Sequence, residues 1–225
     1  MSPDQSEGIA RWIDHTLLRP EAASSDVERH CREALDHGFA AVCVHGIWVR
    51  RCAEALAGSA VAVAAVVGFP LGGEATEAKR FEAELAIADG AQEVDMVLAL
   101  GLLKSGECER VRADIERVAG ACRAGKAKLK VILETGILTG AEKVQACGIA
   151  KDAGADFVKT STGFANRGAT AEDVALLRRI VGPSMGVKAS GGIRDLATAR
   201  AMLRAGASRL GTSSSVAIVR EERGS

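Results

Sequence analysis

Tyrosine is missing from this chain, and aromatic residues make up 3% of it. Proteins that hold single strands of nucleic acid stack bases on aromatic side chains, so that class is excluded by composition. Net charge is missing too: 29 Lys and Arg balance 29 Asp and Glu. A nucleic-acid-binding face normally advertises itself as a basic excess. Long apolar runs are absent. The longest, Ala60–Val67, ends at Gly68-Phe69-Pro70, whereas a membrane helix needs about 20 apolar residues. Residues 1–8 are polar and hold no signal-peptide core. Six cysteines are present, but no two stand as Cys-x-x-Cys, so metal-site spacing is missing. Reduced thiols fit better than a disulfide frame. The expectation is a soluble, cytoplasmic protein with no nucleic-acid or membrane partner, no metal and no cofactor.

What is present is a globular composition, 48% hydrophobic and 26% charged. Residues 1–225 are expected to form one domain, with 1–8 as a flexible N-terminal tail. Short apolar runs predict strands at Trp12–Thr16, Phe39–His45, Ala60–Gly68, Glu93–Leu98, Leu129–Glu134, Asp156–Ser161, Gly186–Ser190 and Ser208–Thr212. Helical patterns lie between them at about 25–37, 46–57, 74–89, 106–124, 140–153, 171–181 and 195–205, and a last one starts near Ser214. Ser25 with Glu28, Thr139 with Glu142 and Thr170 with Asp173 have the spacing of a capping box. Strict β–α alternation predicts a parallel α/β sheet. Eight such units predict a closed (β/α)8 barrel, the TIM barrel, with an open doubly wound sheet as the runner-up.

Four helices end on similar words, each with a glycine at the stop: Gly38, Gly90, Gly154 and Gly206. Their spacings of 52, 64 and 52 residues make the chain four double units. Five residues beyond each glycine stand Cys43, Asp95, Lys159 and Gly211. Equivalent units place these at matching points of the even strands. Barrel interiors are layered by alternate strands, so Asp95 and Lys159 should share a layer. The odd strands add Asp14, Lys130 and Lys188. Lone charges inside a strand are costly to desolvate, so five of them together point to a site.

Lys159 and Lys188 sit late in adjacent strands, near the carboxyl ends where barrel enzymes place their chemistry. A free lysine titrates near ~10.4 and is almost wholly protonated at pH 7. A second ammonium close by disfavours the charged form. The lysine so freed can attack a carbonyl and form a Schiff base, and the protonated imine is then the electron sink. Asp95 is the proton carrier or electrostatic partner. Gly163, Gly191-Gly192 and Gly211 follow strands 6, 7 and 8, and Ser213-Ser214 open the last helix. Such loops and helix N-termini bind phosphate in barrels.

These segments carry a resemblance. Ile13–Leu18, Ala41–Val44, Val67–Gly72, Glu93–Val97, Leu129–Thr135, Val158–Gly163 and Val187–Arg194 resemble the deoxyribose-phosphate aldolase family in order along nearly the whole chain. The resemblance implies a class I aldolase, a lyase of nucleoside catabolism. It would cleave 2-deoxy-D-ribose 5-phosphate reversibly to D-glyceraldehyde 3-phosphate and acetaldehyde. It implies Lys159 as the Schiff-base residue, Lys188 as the group that lowers its pKa, and Asp95 in proton transfer. Asp14, Thr16 and Lys130 would form the supporting polar network, and Cys43 would lie near the site. Gly163, Gly191, Gly192, Gly211, Ser213 and Ser214 match phosphate-binding positions. The expected partners are sugar phosphate, aldehydes and further copies of the chain, as a dimer. His15 is read as structural.

Two loops depart from the family. His45-Gly46 replace a common Asn-Pro, and Phe164 stands where some members carry a lysine. Arg167 is read as an exposed loop residue. The competing readings are another phosphate-binding barrel enzyme, either a transaldolase-like Schiff-base enzyme or a sugar-phosphate isomerase, and a barrel that binds sugar phosphate without catalysis.

Overall fold

The computed structural model describes residues 8–224. The first seven residues of the expected tail lie outside that range. Eight strands form a closed barrel in sequence order: β1 (Ile13–Leu17), β2 (Ala41–Val44), β3 (Ala62–Val67), β4 (Glu93–Val97), β5 (Lys128–Ile132), β6 (Phe157–Lys159), β7 (Gly186–Ser190) and β8 (Arg209–Thr212). All neighbouring pairs are parallel, and β8 pairs with β1 through Ile13–Leu210, Asp14–Gly211 and His15–Thr212. The helices are α1 (Ser24–His37), α2 (Val49–Ala55), α3 (Thr76–Ala88), α4 (Leu100–Lys104), α5 (Cys108–Ala124), α6 (Gly140–Asp152), α7 (Ala171–Val181), α8 (Leu196–Arg204) and α9 (Ser215–Arg223).

The expected alternation is what forms, with local differences that have physical causes. Trp12 belongs to a 3-10 turn, Ile9–Trp12, that leads into β1. The helix expected at 46–57 is split into a 3-10 turn, Gly46–Trp48, and α2. β5 stops at Ile132 because Glu134 takes a positive φ of 54° and starts another turn. Five-residue α4 is too short to show a helical period in sequence. The capping box at Thr139–Glu142 is complete, and Thr170 accepts from the Asp173 N–H. Ser25 caps nothing: α1 begins earlier, because the Asp26 carboxylate accepts the Ala23 N–H at 3.0 Å. The four repeat glycines all take positive φ, from 67° at Gly38 to 111° at Gly206, the conformation that ends a helix without steric penalty for glycine.

Alternation along each strand sorts the side chains into two layers. The outward residues, among them Ile13, Val42, Val63, Val94, Met96, Val131, Val158 and Val187, join the helices in the main hydrophobic core. The inward side is split. Cys43, Ala64 and Val66 pack with Leu18 as a small apolar cluster on the β2–β3 side. The buried charges of the interior lie on the other strands, and they form the candidate site.

Candidate active site

Strand register brings the expected charges together. Asp95 stands opposite Lys130 on β5, and Lys159 opposite Lys188 on β7. Asp95 is the hub. Its Oδ1 accepts from Lys130 Nζ at 2.6 Å, and its Oδ2 accepts from Lys159 Nζ at 2.8 Å and Lys188 Nζ at 2.7 Å. Lys188 also donates to Asp14, and Lys130 lies 3.5 Å from the same carboxylate. The Cys43 thiol reaches Asp95 Oδ2 at 3.9 Å. Thr16 donates its hydroxyl to the Asp14 carbonyl at 2.9 Å and faces the cavity. Two members are absent from the sequence reading. Glu93 meets Lys130 at 2.6 Å, and Arg209 bridges Asp14 at 2.6 Å and Glu93 at 3.0 Å. Each stands two residues before a residue the register reading had named, Asp95 and Gly211. The period of two along a strand was therefore the available signal.

Burial and these contacts set the protonation. Burial alone raises a carboxyl, but Lys130, Lys159 and Lys188 outweigh it and hold Asp95 well below the carboxylate range. Asp14 is lowered in the same way, chiefly by Lys188 and Lys130. Burial pushes Lys188 down, yet Asp14 and Asp95 carry it above the usual lysine value. Lys130 ends well above that value through Asp95, Asp14 and Glu93. Lys159 goes the other way. Burial pushes it down, Asp95 opposes, Lys188 adds to the fall, and the balance is a lowered pKa. Desolvation therefore leads the activation of Lys159, and the neighbouring ammonium assists. The Cys43 thiol is pushed up by burial and stays protonated.

A cavity of about 430 Å³ opens above the cluster. It is lined by Thr16–Pro20, Lys159, Thr162–Phe164, Ser190–Arg194 and Gly211–Ser213. Lys159 is the cluster member on its wall; Lys188 is fully buried behind it. Gly163, Gly191, Gly192, Gly211 and Ser213 line the same cavity. Ser214 is set back as the residue before α9, its N–H donated to Thr212 Oγ1 at 2.9 Å. Gly191 and Gly192 have φ of 88° and 77°, which favour glycine. Gly211 is a close approach: a Cβ there would lie 2.3 Å from Ser190 Oγ. Backbone N–H groups, the α9 N-terminus and Arg194 suit an anion at this end. Arg167 is exposed and is not among the lining residues.

Both departures from the family pattern meet at one ring. Phe69 packs edge-on against Phe164 at 5.3 Å and against His45 at 5.9 Å. His45 Nε2 donates to the Leu18 carbonyl at 3.0 Å, tying the loop after β2 to the loop after β1. Glu134, also unforeseen, is buried under the mouth and accepts the Thr162 N–H at 3.2 Å and the Thr162 hydroxyl at 2.5 Å. It thereby holds the turn that carries Gly163 and Phe164. His15 faces the helices, between Ser215 at 2.9 Å and Glu33 at 3.0 Å, stacked on His30. His15, His30 and Glu33 are the one trio of metal-type ligands among the described residues, and these hydrogen bonds already engage them.

A buried, deprotonation-prone lysine on the wall of a cavity that glycine-rich loops also line suits carbonyl chemistry on a small anionic substrate. The family model described as DeoC/LacD family aldolase matches residues 9–220. The deoxyribose-phosphate aldolase of Brevibacillus brevis is 58% identical over 209 residues, 93% of this chain and 94% of that one. That of Bacillus cytotoxicus is 54% identical over 96% of this chain and 97% of its own. The solved structure of the tetrameric deoxyribose phosphate aldolase from Aeropyrum pernix superposes with a TM-score of 0.90 at 35% identity, covering 96% of this chain and 91% of that one. With the barrel, the lysine pair and these similarities in agreement, the chain belongs to the DeoC/LacD aldolase family.

Proposed function

We propose that this chain is a class I aldolase that reversibly cleaves 2-deoxy-D-ribose 5-phosphate to D-glyceraldehyde 3-phosphate and acetaldehyde, with Lys159 as the nucleophile. The observation that carries the assignment is that Lys159 alone of the charged cluster lines the cavity and has a lowered pKa. Neutral Lys159 Nζ attacks the aldehyde carbon of the open-chain sugar, and the carbinolamine takes up a proton as it loses water, leaving a protonated imine. A base takes the proton of the 3-hydroxyl, the C2–C3 bond breaks, and its electrons move into the imine as an enamine. Glyceraldehyde 3-phosphate leaves, C2 takes a proton, and hydrolysis of the imine frees acetaldehyde and Lys159.

Asp95 is kept ionised, so it steadies the imine's positive charge and takes part in proton transfer only as a transient carrier. Lys188 and Lys130 hold that carboxylate in place from behind. Asp14 and Thr16 support the same network. Gly163, Gly191, Gly192, Gly211 and Ser213 take the phosphate, with Ser214 shaping the start of α9. One catalytic domain over residues 1–225, a cytoplasmic location and assembly into a dimer belong to the same proposal.

The test is reduction with borohydride in the presence of acetaldehyde, followed by mass spectrometry of the peptides. The adduct is expected on Lys159. An adduct on Lys188 alone would reverse the two assignments, and no adduct at all would remove the Schiff-base mechanism.

A further inference from the structure

The charged interior has an unequal count. Asp14, Glu93 and Asp95 supply three carboxylates, and Lys130, Lys159, Lys188 and Arg209 supply four cations. Written in their ordinary charged forms, these groups carry one positive charge too many. The other elements add no ion pair to this cluster: β2 presents the Cys43 thiol, protonated through burial, β3 presents Ala64 and Val66, and the buried Glu134 beyond β5 is engaged by Thr162 and touches none of the four cations. A buried excess charge is expensive, so the group with the weakest pairing gives up its proton.

Pairing ranks the four cations. Lys130 lies 2.6 Å from both Asp95 and Glu93 and 3.5 Å from Asp14. Lys188 touches Asp14 and Asp95. Arg209 touches Asp14 and Glu93, and its guanidinium lies 5.7 Å from the centre of the Phe157 ring. Lys159 touches Asp95 alone, through the oxygen that Lys188 also uses. A guanidinium does not lose its proton in proteins, so Arg209 is the cation that cannot yield.

We propose that Arg209 is a positioning residue of the reaction: it supplies the fixed surplus charge that makes Lys159 the amine left unprotonated. It acts from two residues below the cavity layer, through Asp14 and Glu93, without being among the residues that line the cavity. The direction of each shift agrees, with Lys130 and Lys188 raised and Lys159 lowered. The inference rests on the Schiff-base reading of Lys159 and adds the origin of its activation.

The experiment follows the initial rate of acetaldehyde trapping on Lys159 by borohydride against pH, in four proteins whose fold is checked by circular dichroism. The wild type gives the reference midpoint. Arg209→Met removes the surplus, so its midpoint should rise by at least one pH unit, and trapping at pH 7 should fall at least about tenfold. Arg209→Lys keeps the charge and should keep most of the wild-type profile. The double variant Arg209→Met, Glu93→Gln removes one charge of each sign and should return the midpoint towards wild type. A purely structural Arg209 predicts the opposite for the double variant, which would then be worse than the single one.

Overturning results are an Arg209→Met midpoint unmoved with only the amplitude reduced, or a double variant displaced as far as the single one. If Arg209→Met does not fold, Glu93→Gln alone decides. It enlarges the surplus, so the midpoint must fall, and an unmoved or raised midpoint refutes the charge balance. A wild type without any adduct refutes the Schiff-base reading and this inference together. An adduct on wild-type Lys159 with unmoved midpoints in the variants refutes the charge balance alone.

Discussion

Lys159 shares Asp95 Oδ2 with Lys188, and that shared oxygen couples the two amines. Removing the Lys188 ammonium removes a repulsive charge and leaves Asp95 freer to hold a proton on Lys159. Both effects stabilise the protonated nucleophile. In Lys188→Leu the pH at which cleavage of deoxyribose phosphate reaches half its plateau should move upward. A two-unit rise would lower the reactive fraction about a hundredfold at fixed pH, equivalent to about 2.7 kcal/mol. Activity depends on the neutral amine, so it should partly recover at high pH. Lys188→Arg keeps a charge with different geometry and hydration, and partial rescue is the expected outcome. A pH–rate profile of unchanged shape and lower amplitude would show that Lys188 acts by placement rather than by charge. At this scale the sequence was informative. Residue identity and register named Asp14, Asp95, Lys130, Lys159 and Lys188. Glu93 and Arg209 stayed hidden, because an Arg and a Glu near strand starts are ordinary on a protein surface and only closure of the barrel turned them inward.

Elements are joined by a stack of two histidines. His15 on β1 lies 3.6 Å from His30 on α1, centre to centre, and reaches Ser215, the first residue of α9. Burial, and then the charge of His37, push His15 down to about 4. Burial, followed by His15, pushes His30 down to about 3. In the unfolded chain both titrate near 6.5. Below that pH the unfolded chain takes up protons that the folded chain refuses, so folding stability falls on acidification. The window runs from about 6.5 down to the folded values. Each histidine can remove up to about 1.4 kcal/mol per pH unit there. Urea midpoints measured between pH 7 and 4 should fall steadily, and His30→Gln should flatten the slope. A wild-type midpoint constant over that window would contradict the stacked, uncharged pair. Element boundaries were less legible than element types. The Thr139–Glu142 box was readable because both partners lie within one turn. The α1 start was misplaced because Asp26, not Ser25, makes the capping bond to Ala23.

For the whole molecule, stability depends on the last helix being seated against the turn that leads into β1. α9 buries Ile218 and Val219 against β1, α1 and the turn at Ile9–Trp12. Glu222 accepts the Ile9 N–H at 2.9 Å, and Glu221 accepts the Leu196 N–H at 2.8 Å. Two fully buried aliphatic side chains contribute about 1.5–3 kcal/mol each. Against a typical net stability of about 5–15 kcal/mol, losing them with the His15–Ser215 bond is a large fraction. A chain stopped after Ser214 should therefore unfold at least about 10 °C lower by circular dichroism, or lose its cooperative transition altogether. An unchanged melting temperature would show that the barrel closes without α9.

What the sequence determined by itself is the local and the periodic. Alternating apolar runs and amphipathic stretches dictate strand and helix type, and glycines at the helix stops mark a repeat of double units. Counting from those glycines aligns Cys43, Asp95, Lys159 and Gly211, because a period-two strand has one way to face inward once its length is set. Tertiary structure decided the rest. Lys159 and Lys188 are level in register, so which of them stands on the cavity wall depends on how the segments after β1, β6, β7 and β8 close around the mouth. The meeting of His45, Phe69 and Phe164 joins three loops. The placing of Ser214 behind Ser213 follows from where α9 starts. Above all, the count of buried charges exists only in the closed barrel, where residues from Asp14 to Arg209 share one low-dielectric interior and must settle their protons together.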